Sequence, residues 1–146
     1  DSICWGNGDS YVAAGTRKGN VFLYNQLTKQ TFASFTIKQG NKVDSSSSSF
    51  SFFLLRIELD WTISSIKWSP HKEIIATTSN DGLLSIWNSR LKELLISIHS
   101  HKAPATDLAF SPHHDAFLVS SGMDGSLCCF DIVQQKYFSL FILLID

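Results

Sequence analysis

Five histidines, three cysteines and two Ser-Pro pairs are the residues with the clearest chemical potential. His99 and His101 are two residues apart, which places both on one face of a strand and would suit a metal ion. A zinc site needs further ligands, and no cysteine or third ligand lies near them in sequence. His113 and His114 stand beside Asp115 in a Ser-Pro turn and read as a solvated turn. Cys4, Cys128 and Cys129 are odd in number and lack C-x-x-C spacing. That argues against a disulfide framework or zinc knuckle and for a reducing compartment. Asp9 and Ser10 belong to no G-x-S-x-G element, and no phosphate-binding glycine loop is present. Ser69-Pro70 and Ser111-Pro112 could be sites of proline-directed phosphorylation, but proline closing a turn is the preferred reading. No catalytic residue, metal or cofactor is expected.

What positions these residues is a repeat. Residues 80–88 read NDGLLSIWN, and 43 residues later comes MDGSLCCFD. The same shape, RKGNVFLYN, stands 63 residues before the first of these. Each has a turn with glycine, an alternating apolar run, an aromatic, then Asn or Asp. Val21 and Leu23 alternate with Phe22 and Tyr24, and Leu84 and Ile86 with Ser85 and Trp87, a period of two that marks strands. Upstream of each shape lie two further strands, the first ending in Trp5, Trp68 or Phe110. A weaker fourth follows at Thr31–Thr36, Glu93–Ile98 and Lys136–Leu140. Four short strands at a period of about 43 residues form the propeller-blade pattern, and Asp-Gly with aromatic-Asp is its WD-repeat form.

The expected fold is therefore all-β, a partial WD40-type β-propeller of about three four-stranded blades with no substantial helix. Blades are expected at 1–36, 62–99 and 100–140, with an insert at 37–61 and an apolar tail at 141–146. A lone blade cannot bury both faces, whereas stacked blades can. Three blades do not close a ring, so the outer blades should expose apolar faces and drive aggregation or dye binding. Residue 1 is Asp rather than Met, with no secretory pattern after it, and a fragment is the expectation.

In WD blades a His ahead of the first strand, a hydroxyl on the second, the turn Asp and the Trp form a buried hydrogen-bonded network. The third repeat has His101, Ser120 or Ser121, and Asp124, with Phe130 in place of Trp. The second has Thr77 or Thr78, Asp81 and Trp87, with Leu59 where the His would fall. The first has only Thr16. These residues read as structural. Partners should meet the loops, because recognition concentrates on loops held by a rigid scaffold. The candidates are Arg17, Lys18, Asn80, Lys102 and Met123.

The chain has 146 residues, 44% of them apolar, and a net charge of −1 without long runs of one sign. There is no electrostatic footprint for nucleic acid and no polybasic membrane patch. Proteins are the expected partners. Apolar runs at Phe50–Leu55 and Tyr137–Ile145 are far shorter than the ~20 residues of a spanning helix.

A finer resemblance rests on HKAPATDLAFSP (101–112), preceded by SIKWSPHKEIIATTSNDGLLSIWN (65–88). Together they resemble the WD-repeat family that targets the γ-tubulin ring complex to centrosomes and spindles, the neural-precursor-expressed, developmentally down-regulated family. The resemblance covers about residues 62–140. It implies a non-enzymatic microtubule-nucleation adaptor, in which a seven-bladed propeller aids localisation and a helical C-terminal region binds the γ-tubulin complex. The implied location is cytoplasm and cytoskeleton, at centrosome or spindle pole, with the nucleus as alternative. The other reading is a WD scaffold of another pathway, such as a ubiquitin-ligase substrate receptor.

The unequal spacing implies about 20 extra residues between the first and second blades. SSSSSFSFFLL (45–55) and YFSLFILLI (137–145) share Ser, Phe and Leu without charge. Either both pack on a partner or on further blades, or they are translated intron sequence. The second reading is preferred, since removing about 20 residues from 37–61 restores the 43-residue period.

Overall fold

The computed structural model describes residues 2–6, 10–36, 62–90, 93–114 and 116–141. The insert, most of the tail and Leu59 lie outside these residues, and the readings made of them with them. Twelve strands form three four-stranded antiparallel sheets, and among the described residues none is helical.

The first blade is β1 (Ser2–Trp5), β2 (Tyr11–Gly15), β3 (Asn20–Asn25) and β4 (Gln30–Thr36). The second is β5 (Ile63–Trp68), β6 (Ile74–Ser79), β7 (Leu83–Asn88) and β8 (Glu93–His99). The third is β9 (Ala105–Phe110), β10 (Phe117–Gly122), β11 (Ser126–Asp131) and β12 (Lys136–Phe141). Each is a meander paired in chain order, as expected when antiparallel strands are joined by short turns. The fourth strands of the second and third blades run one residue beyond the sequence expectation, to His99 and Phe141.

Apart from bulges, the first three strands of each blade share one register. Trp5, Val12 and Tyr24 form one row across the first blade, Trp68, Ile75 and Trp87 the same row of the second, and Phe110, Leu118 and Phe130 that of the third. Blades stack face to face through two apolar layers. One joins Ala13, Val21 and Leu23 of the first blade to Ile63, Ile66, Trp68, Ile75, Leu83 and Trp87 of the second. The other joins Ile74, Ala76, Leu84 and Ile86 to Leu108, Leu118 and Phe130 of the third. Covered on both sides, β6 is buried throughout and β7 up to Trp87. In β3 only alternate residues are buried. At about 25 cal/mol per Å² of apolar surface, this double burial makes the middle blade the most stabilised.

The first layer requires close approach. Gly6 lies under Trp68 and Tyr11, where a Cβ would come within 3.0 Å of either, and the two rings stack with centroids 6.1 Å apart.

Candidate functional site

The turns joining second to third strands repeat one local geometry. Gly19, Gly82 and Gly125 have φ of 71°, 81° and 72°, a region glycine enters at little cost. Neighbouring turns are laced together along one edge of the stack. The Thr62 hydroxyl donates to the Arg17 carbonyl, and the Asn80 N–H donates to the Thr62 carbonyl. The Ser100 and His101 N–H groups both donate to the Gly82 carbonyl, and the Met123 N–H donates to Pro104. This edge carries all five loop candidates. Arg17, Lys18, Lys102 and Met123 are exposed, Asn80 is half-buried, and the Met123 side chain is 72% exposed. Three cations and one thioether thus sit on a hydrogen-bonded rim.

Beneath the rim in the third blade is a directed chain of hydrogen bonds. The Ser126 hydroxyl donates to Asp124 Oδ1 at 2.6 Å, so its oxygen accepts from His101 Nδ1, 2.9 Å away. His101 Nδ1 also lies 3.3 Å from Asp124 Oδ1. With the proton on Nδ1, Nε2 accepts from the Ser120 hydroxyl at 2.8 Å. Asp124 further accepts the Lys102 N–H on Oδ2 and the Ser126 N–H on Oδ1. The Ser126 hydroxyl holds its carboxyl far below the usual carboxylate range, helped by the backbone donors and His101. A Cβ at Gly122 would lie 2.5 Å from His101 Nδ1 and 2.8 Å from Asp124 Oδ1, so this position leaves room only for glycine.

Ser120, His101 and Asp124 have the connectivity of a nucleophile, base and orienting acid. Their placement opposes that use. Ser120 is 1% exposed and His101 5%, between two packed blades where no substrate reaches them. Such a group serves to satisfy polar atoms between blades.

Ser121 and Thr78, offered by the sequence as alternatives to Ser120 and Thr77, fall outside the networks. Side chains alternate along a strand, so each points to the opposite face from its neighbour. The Ser121 hydroxyl pairs with Thr106 and that of Thr78 with Ser64. In the second blade, where the sequence offers no histidine, the network residues form two separate pieces. Trp87 Nε1 donates to Thr77 Oγ1 at 3.3 Å, while Asp81 accepts from the Ser79 hydroxyl and the Leu83 N–H. Among the described residues no histidine bridges them.

Three participants were not foreseen. Ser126 completes the third blade's chain, and the motif Asp-Gly-Ser in place of Asp-Gly-Leu was the available signal. The Ser65 hydroxyl donates to Asp107 across the second and third blades at 2.6 Å, holding that carboxyl below its usual range. His71 Nε2 lies 3.0 Å from the Pro112 carbonyl, tying together the two Ser-Pro turns. Nothing in the pattern marked these last two, because both cross between blades. Ser69 is buried and accepts the Lys72 N–H, whereas Ser111 is half-buried and accepts that of His114.

His99 is exposed while His101 is buried, and no group of three metal-ligating residues occurs among the described residues. The Cys4 thiol is pushed up to about 11, chiefly by burial, and burial also raises Cys128.

Stacked four-stranded meanders whose third strands end in an aromatic followed by Asn or Asp, with a His–Ser–Asp network in the third, define a partial β-propeller of the WD40 class. The family described as "WD domain, G-beta repeat" matches residues 57–88 and 92–131, and the chain is a WD40 repeat protein. Its relatives are diverse. Periodic tryptophan protein 2 homolog of Dictyostelium discoideum is 31% identical over 83 residues, 56% of this chain and 9% of that protein. Protein FIZZY-RELATED 3 of Arabidopsis thaliana is 24% identical, covering 88% of this chain and 31% of that protein. Protein NEDD1 of Homo sapiens is 22% identical over 129 residues, 88% of this chain and 17% of that protein. The chain thus spans under a third of each of these relatives. The solved structure of U3-55K aligns with a TM-score of 0.68 at 17% identity, covering 96% of this chain and 36% of that one, and shows the fold alone.

Proposed function

We propose that the chain is part of a non-enzymatic WD-repeat adaptor that brings γ-tubulin ring complexes to centrosomes and spindle poles for microtubule nucleation. The observation that carries this reading is the His101–Pro112 segment, together with a similarity to human Protein NEDD1 that extends over most of the chain. The geometry supports a docking role. His101 and Asp124 lie under the Lys102–Met123 part of the rim and fix it, while Arg17, Lys18 and Lys102 offer positive charge to an acidic protein surface. Rigid presentation limits the ordering entropy lost on binding.

The test is co-precipitation of γ-tubulin with the tagged full-length protein from mitotic cells, alongside imaging of the tag. Enrichment of γ-tubulin and a spindle-pole signal are expected. A second reading, a scaffold of another pathway such as a ubiquitin-ligase substrate receptor, draws on the equally extensive similarity to Protein FIZZY-RELATED 3. Under it, ubiquitin-ligase subunits co-precipitate and γ-tubulin does not, which would overturn the first reading.

A further inference from the structure

We infer that the outer strand of the middle blade, β8, is a self-pairing edge, where two copies of the protein join antiparallel about a two-fold axis at Ile96. Each blade is a meander paired in chain order, so its fourth strand is bonded on one side only. β8 pairs with β7 from Leu83–His99 to Asn88–Glu93, and among the described residues no strand lies on its other side. The fourth strand of a middle blade lies on the circumference whatever precedes the first blade or follows the third. An open edge is a template for another strand unless lysine, proline or a bulge blunts it. β8 reads ELLISIH and holds neither lysine nor proline. A bulge leaves Leu95 opposite no residue of β7, but it affects one end alone, and Ile96–His99 stay in register. Leu94 and Leu95 beside it are 45% and 43% exposed.

What selects a second copy as the occupant is that β8 complements its own reverse. About the axis Ile96 meets itself, Ser97 meets Leu95, Ile98 meets Leu94 and His99 meets Glu93. Apolar side chains thus fall opposite apolar ones near the centre. At each end an imidazole N–H can donate to a carboxylate, twice per dimer. Glu93 and His99 are both exposed, and neither side chain is engaged by another among the described residues. Directly opposed pairs of these kinds are what stabilise neighbouring antiparallel strands. They also fix the register, since moving the axis to Leu95 or Ser97 separates Glu93 from His99. The same surface serves both copies, so the contact is closed and assembly stops at two.

The test is sedimentation equilibrium of the full-length protein over a range of concentrations, with Glu93→Arg and His99→Glu, both at exposed positions. The parent is expected at twice its sequence mass. Glu93→Arg sets a cation against His99, and His99→Glu sets two carboxylates together. Each variant alone should dimerise about tenfold more weakly, because two cross-strand pairs are lost per dimer. An equimolar mixture of the two should regain the parent's affinity. There the new arginine of one copy faces the new glutamate of the other, and native Glu93 and His99 meet at the second pair. That recovery also shows both variants to be folded. A parent not at twice its sequence mass, a single variant that associates as tightly as the parent, or a mixture no tighter than its components would each overturn the proposal.

Discussion

Replacing Asp124 by Ala removes the acceptor on which the third blade's network converges. Its carboxylate takes four donors: the N–H groups of Lys102 and Ser126, the Ser126 hydroxyl and His101 Nδ1. The Lys102 N–H lies at the exposed rim, where water replaces the lost bond. The pair formed by His101 and Ser126 is buried and has no such replacement. An unsatisfied buried group costs about 1–3 kcal/mol, and bonds to a charged acceptor stand at the upper end, so the total is about 3 kcal/mol. Asp81 supplies an internal control. It occupies the same turn in the second blade with a positive-φ glycine after it, yet among the described residues it accepts only from Ser79 and Leu83. Its loss should cost about 1 kcal/mol. At roughly 3 °C per kcal/mol for a chain this long, Asp124→Ala melts some 6 °C below Asp81→Ala. Urea unfolding and calorimetry at one fixed protein concentration measure both variants. Equal shifts would refute the view that the histidine-centred chain, rather than the turn itself, is what Asp124 supports.

Asp124 also implies a pH dependence. Its folded pKa lies below the model-peptide value of 3.8, so its contribution is complete above about pH 5 and is lost as pH falls through 3.8 toward the folded value. Acid titration of stability should be steeper for the parent than for Asp124→Asn. Phe130→Trp should stay within about 1.5 kcal/mol of the parent, because the indole N–H gains Ser120 as Trp87 has Thr77, offsetting the added volume. Ser120→Ala would then cost more in that background, and equal costs would contradict the pairing. Alkylation of Cys4 at pH 8 should run about 100-fold slower than a free thiol, since little thiolate forms when the pKa is about 11. Peptide mapping of the natural protein should fail to recover VDSSSSSFSFFLLR (43–56) if that stretch is intron sequence, and its recovery would settle the matter the other way.

The blades were legible because period-two alternation, Asp-Gly turns and terminal aromatics are local signals, each set by a few neighbouring residues. Val21 and Leu23 sit inside, with Phe22 and Tyr24 outside, as that alternation places them. What eluded the sequence depends on the partner blade. The choice between Ser120 and Ser121 turns on which face meets the second blade, and a hydroxyl looks the same on either. The separation of Asp81 from Trp87 follows from the lack of a bridging imidazole among the described residues. Asp107 reads as an ordinary surface acid until β5 (Ile63–Trp68) is laid beside it. The rim residues could be named from turn positions, but the bonds that lace Arg17 to Thr62 and Gly82 to His101 could not.

The central claim is that the rim docks the partner and the buried network only holds the rim in place. Charge reversal at Lys18 and Lys102 together, in the full-length protein, tests it most directly by live imaging of spindle poles. The account predicts a lost or strongly reduced pole signal, with the melting temperature and γ-tubulin co-precipitation unchanged. An undiminished pole signal in the folded double variant would contradict it.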